Sequence, residues 1–183
     1  MSHLDEMLEF NKKFVENKEY LPFSTTKFPN KKTVILTCMD TRLTHLLLAA
    51  LNLKNGDVQM IKIAGAMVRH PFGDAMRSLL VAVYELGVED IMVVGHHDCG
   101  VKGLNAERLL TKMRNRNILN KRIHYISRYC HIDMSRFLKG FDNLERSVHD
   151  TVSLIRHHPL IPSDIRVHGF IIDPTTGKLD NVD

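Results

Sequence analysis

Cysteine is scarce in this chain of 183 residues, which contains only Cys38, Cys99 and Cys130. Three cysteines are too few for the disulfide framework of a small secreted protein. Long apolar runs are also absent, because the longest ones, such as residues 46–51, fall far short of the roughly 18 residues that span a membrane. The first twenty residues carry charges at short intervals and lack the apolar centre of a signal peptide. These absences predict a cytoplasmic protein without a membrane partner, in which the thiols bind metal, catalyse or are buried.

Acidic residues are missing between Arg108 and His131, although the whole chain has a net charge of only +4. Such a basic segment could bind nucleic acid or another anion, or it could form a solvated helical face or a subunit contact. Only Tyr125 and Tyr129 lie nearby, so the aromatic residues of a base-stacking surface are few. The solvated face or subunit contact is therefore favoured over nucleic acid as the partner of this segment. The basic residues are Arg108, Lys112, Arg114, Arg116, Lys121, Arg122 and Arg128.

The rest of the composition is that of a globular protein, with 44% hydrophobic and 25% charged residues. Short β-rich segments predict strands at residues 33–37, 58–63, 90–95, 166–173 and 178–182. Helical spacing of apolar residues predicts helices between them and a first helix before them. The predicted helices cover residues 3–17, 43–53, 74–86 and 144–155, with further helical pieces in the basic segment.

Strands that alternate with helices predict an α/β fold. We expect a mainly parallel central sheet of about four strands, flanked by helices, with one antiparallel edge strand contributed by the last hairpin. The length predicts a single domain over residues 1–183, divided into an N-terminal helical arm at 1–30 and an α/β core at 31–183.

Reactive side chains follow two of the predicted strands. Cys38 ends the first strand, and His96 and Cys99 follow the third. If these strands are neighbours in a parallel sheet, their carboxyl ends lie about 5 Å apart and the three side chains converge. Two thiolates and one imidazole form a tetrahedral zinc site whose fourth position is open to a carboxylate or water. A structural zinc clip is the alternative, but such sites usually fill all four positions with Cys or His.

Asp40 and Arg42 follow the first strand directly, and both could face the same end of the sheet. Arg42 could pair bidentately with Asp40 and keep its carboxylate ionised. Asp40 would then accept a hydrogen bond from zinc-bound water and help to receive its proton. If the pair breaks, Asp40 is close enough to ligate the zinc ion. A simple salt bridge at a helix N-terminus is the alternative interpretation.

The other candidate residues are expected to be structural. His97 points away from His96, and Asp98 hydrogen-bonds nearby backbone or a neighbouring side chain. Cys130 has no companion cysteine and is interpreted as a structural or incidental residue. The pair His157-His158 precedes a proline and is expected to interact with the dipole at a helix C-terminus.

The two motifs together resemble those of the β-class carbonic anhydrases, in particular the compact bacterial branch. That family is marked by Cys-x-Asp-x-Arg and by a later His-x-x-Cys-Gly, which here are residues 38–42 and 96–100. The likeness covers roughly residues 30–183 and includes the Ala-Gly segment at 64–65 and the closing hairpin. One departure is Ile63, where the family often has Asn before Ala-Gly.

The resemblance implies a site, a cofactor and an assembly. Cys38, His96 and Cys99 would bind Zn²⁺, and Asp40 and Arg42 would form the catalytic dyad. It also implies a homodimer or higher homo-oligomer, with the active site near the interface and the N-terminal helix packed on the partner.

The implied activity is the reversible hydration of carbon dioxide to bicarbonate and a proton, by attack of zinc-bound hydroxide. Two other functions are kept open. The same zinc site could hydrolyse a sulfur analogue of carbon dioxide. The protein could instead be a non-catalytic sensor of bicarbonate or another anion, or an RNA-associated protein that uses the basic segment.

Overall fold

The computed structural model describes residues 2–182 and contains one five-stranded mixed sheet within that range. The strands are β1 (Thr33–Cys38), β2 (Val58–Ile63), β3 (Asp90–His96), β4 (Arg166–Ile172) and β5 (Leu179–Asn181). They lie in the order β2-β1-β3-β4-β5, with the first four parallel and β5 antiparallel to β4. The predicted α/β fold, with four parallel strands and one antiparallel edge strand, is confirmed.

Helices flank this sheet and precede it. Single 3₁₀ turns also occur at Leu21–Phe23 and Ala64–Ala66. The part of the chain that the structure describes contains no helix that is both long and apolar enough to cross a membrane. The helices are α1 (His3–Glu16), α2 (Leu43–Ala50), α3 (Asp74–Tyr84), α4 (Ala106–Asn115), α5 (Asn120–Tyr129), α6 (Met134–Leu138) and α7 (Leu144–Arg156).

The two faces of the sheet are both buried, which explains why its central strands are almost continuously apolar. Side chains alternate between the faces. Val34 and Leu36 of β1 pack with residues of α3 and α7, whereas Ile35 packs on the opposite face with residues of α2. These three side chains are completely inaccessible to solvent. Burial on both faces fixes the register of β1 and therefore the place where it ends.

The ends of several elements differ from their predicted positions. β1 continues to Cys38 and β3 to His96, so both side chains belong to the sheet itself. α2 ends at Ala50 rather than near residue 53, because Asn52 adopts a left-handed backbone with φ 51°. The basic segment is helical in two pieces, α4 and α5, as predicted.

Gly95 allows α7 to approach β3 directly behind the end of that strand. A Cβ atom at this position would lie 2.7 Å from Val148 Cγ2 and 3.0 Å from Leu144 Cδ1. The first distance is shorter than real Cβ atoms show and the second is tight, so a side chain here would force Val148 and Leu144 of α7 to shift. The glycine thus fixes the backbone that leads into His96.

We expect Gly95→Ala to lower the free energy of unfolding by about 1–3 kcal/mol, the usual cost of overpacking a core. Urea denaturation followed by circular dichroism measures the change. Gly100→Ala is a suitable control, because nothing lies within 4 Å of a Cβ atom at Gly100. Equal stabilities of the two variants would show that the approach of α7 is not restrictive.

Candidate metal centre

Three potential metal ligands converge at the carboxyl end of the paired strands β1 and β3. The strands are parallel, and Thr37 is aligned with Val94. Cys38 comes directly after Thr37 and His96 comes two residues after Val94, so the two side chains lie close together on neighbouring strands. The loop after β3 then turns back and brings in Cys99. The Sγ atoms of Cys38 and Cys99 lie 3.8 Å apart, and the three donor atoms all lie within 4.8 Å of one another.

This spacing fits a tetrahedral zinc ion. Two thiolates that are each about 2.3 Å from such an ion stand about 3.8 Å apart, which is the distance between the two Sγ atoms here. All three side chains are buried, with exposures of 3% for Cys38, 1% for His96 and 7% for Cys99. Thiolate and imidazole are also ligands that suit zinc, whereas magnesium and calcium favour oxygen ligands. Geometry and donor chemistry therefore suit the ion that the sequence predicts.

The ring of His96 has the orientation of a metal ligand. Its Nδ1 lies 2.8 Å from the carbonyl oxygen of His97, to which it can donate a hydrogen bond. That bond leaves the lone pair on Nε2 free for a metal ion, since a ligating histidine usually donates its other ring N–H to a fixed acceptor. Within residues 2–182, Nε2 of His96 is the one buried side-chain nitrogen or oxygen that lacks a hydrogen-bond partner. A bound cation would remove the cost of leaving this atom unpaired.

The charges of the three groups depend on one another. The thiol of Cys99 and the ring of His96 lower the pKa of Cys38, and the backbone N–H of Gly65 supports its thiolate from 3.4 Å. The pKa of Cys99 is raised, mainly because it lies beside Cys38 and is buried. Burial is the largest single influence on the pKa of His96 and lowers it, but Cys38, the backbone of His97 and Asp40 together raise that pKa overall. A cation would relieve the repulsion that keeps the second thiol protonated.

Asp40 and Arg42 form a bidentate pair beside this centre. Arg42 Nε donates to Asp40 Oδ1 at 3.0 Å, and Arg42 Nη2 donates to Asp40 Oδ2 at 2.9 Å. These bonds hold the pKa of Asp40 down at about 2, so its carboxylate is ionised. Asp40 Oδ2 lies 3.8 Å from His96 Nε2, which places a fixed acceptor next to the candidate metal position.

Two further side chains support this pair. Arg42 also donates hydrogen bonds to Asp98. The sequence predicts that Asp98 bonds to nearby backbone or a neighbouring side chain, but it does not identify Arg42 as the partner. The ammonium group of Lys62 donates to Thr44 Oγ1 at 2.9 Å and lies 3.4 Å from the carbonyl oxygen of Asp40. Sequence reasoning missed Lys62, because its proximity to Asp40 arises from the pairing of β2 with β1 and leaves no local pattern.

The remaining candidate residues lie away from the centre or have other roles. His97 and Cys130 are exposed. His158 differs from expectation: it is 4% exposed, and its Nε2 lies 2.8 Å from the carbonyl oxygen of Pro71. Rather than interacting with the helix dipole alone, His158 attaches the end of α7 to the loop before α3.

A mainly apolar cavity lies beside the Ala64–Ala66 turn. Its volume is about 400 Å³, and Ile63, Met67, Val101 and Leu104 contribute to its lining. Ile63 is aligned with Cys38 in the sheet, and the turn that follows it supplies the Gly65 N–H to the Cys38 thiol. Ile63 is thus shared between the cavity lining and the strand that pairs with β1, although none of the three candidate ligands lines the cavity.

Comparison with known proteins places these features in a family. The family model described as carbonic anhydrase matches residues 33–179. Two Bacillus subtilis proteins named as proposed carbonic anhydrases, YtiB and YvdA, are 53% and 50% identical over 98% and 100% of this chain, and over 96% and 92% of their own lengths. Carbon disulfide hydrolase from an Acidianus species is 27% identical over 82% of this chain and 76% of its own.

A solved structure agrees with the sequence comparisons. The crystal structure of β-carbonic anhydrase isoform I from Trichomonas vaginalis superposes with a TM-score of 0.90 at 33% identity. The match covers 100% of this chain and 98% of the other.

We expect the purified protein to contain close to one equivalent of zinc and Cys38→Ser to lose it. Removal of a thiolate should weaken zinc binding by more than about 100-fold. Loss of a residue that merely hydrogen-bonds to a metal ligand already costs up to about 100-fold, and loss of the ligand itself should cost more. Elemental analysis and competition with a chromophoric chelator measure content and affinity. The control is Cys130→Ser, since that thiol is exposed. Full zinc content in Cys38→Ser would contradict the assignment of this ligand.

Proposed function

The chain belongs to the β-class carbonic anhydrase family, and we propose that it catalyses the reversible hydration of carbon dioxide to bicarbonate and a proton at the centre formed by Cys38, His96 and Cys99. The observation that carries the proposal is the unpaired, buried Nε2 of His96 beside two thiols at tetrahedral spacing. A centre with three protein ligands leaves a fourth position for water, as catalytic zinc sites do.

The two thiols and the imidazole would hold a zinc ion. When bound, zinc would supply Lewis-acid activation, which lowers the pKa of a water molecule toward neutrality. The protein supplies the rest. Asp40 is ionised and fixed, so it can accept a hydrogen bond from that water and orient it toward the substrate. Arg42 prevents the carboxylate from turning and from taking up a proton at neutral pH.

The surroundings suit a small apolar substrate and a charged product. Carbon dioxide has no net dipole, so an apolar pocket such as the cavity lined by Ile63, Met67 and Val101 would suit it. The side chain of Asp40 is 17% exposed and that of Arg42 is 41% exposed, so this side of the centre meets solvent. Bicarbonate and the released proton can therefore leave past the Asp40–Arg42 pair to bulk buffer.

Stopped-flow measurement of carbon dioxide hydration on protein of known zinc content tests the proposal. We expect Asp40→Asn to keep its zinc and to lower kcat by at least about 100-fold, since positioned acid–base groups contribute factors of about 10²–10⁴. The matched control is Asp150→Asn, a change of the same chemistry on the outer surface of α7. No hydration above the uncatalysed rate by the zinc-loaded wild type would exclude the function, and full activity of Asp40→Asn would exclude the role of Asp40.

Hydrolysis of a sulfur analogue of carbon dioxide is the second candidate function. Its support is the group of relatives named carbon disulfide hydrolase, which match 82% of this chain at 27% identity or less. The apolar cavity would suit linear molecules that contain sulfur as well as carbon dioxide. Parallel assays with carbon dioxide, carbonyl sulfide and carbon disulfide on one protein preparation would rank the three substrates by kcat/KM.

We further propose that the protein is a homodimer or a higher homo-oligomer in which α1 packs on a second copy. α1 buries none of its own residues, although apolar side chains occupy nearly half of its circumference. An isolated helix of this length is only marginally stable in water, so it needs a surface against which to pack. The exposed apolar residues on α1 are Leu4, Met7, Leu8, Phe10 and Val15.

We expect Met7→Glu to shift the protein toward monomers, because about 100° per residue along the helix puts Met7 at the centre of the apolar face of α1. Light scattering after size-exclusion chromatography, over a range of protein concentrations, measures the mass. Lys13→Glu is the control, since it adds the same side chain to the opposite, polar face. If the wild type has the mass of a monomer at every concentration, α1 does not mediate assembly.

A further inference from the structure

Arg42 bridges the two loops that contribute to the metal centre. On one side, its Nε and Nη2 atoms donate to the carboxylate of Asp40. On the other side, its Nη1 donates to Asp98 Oδ2 at 3.0 Å, and its Nη2 donates to the backbone carbonyl of Asp98 at 2.9 Å. The guanidinium group is therefore held from both sides, with two hydrogen bonds to each loop.

Asp98 is placed for this contact by its own backbone. It lies between His96 and Cys99 and has a φ of 52°, in the left-handed region that Asp and Asn enter more readily than most residues. His96 and Cys99 are buried on either side of it, whereas its own side chain is 88% exposed. The polar contacts described for Asp98 are all with Arg42, so any effect on the centre passes through that residue.

We propose that Asp98 is a positioning residue for the catalytic centre: it fixes the guanidinium group of Arg42 and thereby sets where Arg42 holds the carboxylate of Asp40. This inference rests on the proposed function. The guanidinium group is a rigid planar fork, so a rotation permitted by loss of Asp98 would displace both bonds to Asp40. Asp40 Oδ2 is already 3.8 Å from His96 Nε2, and a small displacement would bring it to the metal position itself.

A purely structural ion pair would behave differently. Exposed pairs usually contribute little to stability, and loss of one leaves distant groups unchanged. If Asp98 forms only a surface ion pair, Asp98→Asn will have the same small effects on the spectrum and kcat as Asp→Asn at any other exposed position. If Asp98 positions Arg42, the same substitution will alter the metal environment and kcat while the urea midpoint stays close to that of the wild type.

The test is a double-mutant cycle on protein loaded with Co²⁺, whose visible absorption spectrum reports the ligands around the metal. The variants are Asp98→Asn, Asp40→Asn and the combination of the two. Asn retains the left-handed backbone and an acceptor oxygen but removes the charge that attracts Arg42. Asp150→Asn is the control, because Asp150 also forms an exposed pair with an arginine, at 3.8 Å from Arg146.

We expect Asp98→Asn to shift the Co²⁺ spectrum and to lower kcat of the zinc-loaded enzyme by about three- to tenfold, with a smaller change in KM. In the Asp40→Asn background, Asp98→Asn should cause no further spectral shift, because the carboxylate that moves is gone. The control should match the wild type in both measurements.

Two results would overturn the inference. One is a spectrum and kcat of Asp98→Asn that equal those of the control. The other is a spectral shift that persists unchanged without Asp40, because Asp98 would then act by another route. If the zinc-loaded wild type fails to hydrate carbon dioxide, the proposed function is wrong, whereas the Co²⁺ cycle still decides whether Asp98 positions Asp40.

Discussion

The lateral pairing of β1 with β3 is the contact on which the centre depends. Cys38 and His96 end these two strands, and the strands are parallel, so the backbone ladder itself brings the thiol and the ring together. Burial on both faces of the sheet prevents a slip in register, because a shift by one residue would send every side chain to the opposite face. The sheet therefore positions two of the three candidate ligands, and the third, Cys99, is positioned by the loop after β3.

The charges around the centre are arranged so that each holds another in place. Asp40 is kept ionised by Arg42, and Arg42 is held by Asp40 and Asp98 together. The ring of His96 is oriented by the carbonyl group of its neighbour His97. The two thiols are less well balanced: His96 and the Gly65 N–H favour the thiolate of Cys38, which in turn raises the pKa of Cys99. A divalent cation bound by these donor atoms would favour both thiolates, because metal binding requires deprotonated ligands.

Much of this could be predicted from the sequence, because it depends on local patterns. The apolar runs of β1 and β3 and the spacing of Cys-x-Asp-x-Arg and His-x-x-Cys are visible in the sequence itself. The contact of Lys62 with the carbonyl group of Asp40 could not be predicted, because it depends on which residue of β2 is aligned with β1. The burial of His158 against Pro71 joins positions 87 residues apart, and nothing near either residue indicates it. The end of α2 was predicted too late, because the left-handed Asn52 has no proline or glycine beside it.

The strand order also determines when the centre can form during synthesis. All the candidate ligands are present once residue 99 has left the ribosome, yet the second neighbour of β3 is β4, which begins at Arg166. α7, whose side chains pack behind Gly95, comes just before that strand. A nascent chain would therefore carry all three candidate ligands before the scaffold that orients them has been made. Capture of a metal ion by an ordered site would thus have to wait until α7 and β4 have been synthesised and packed against β3.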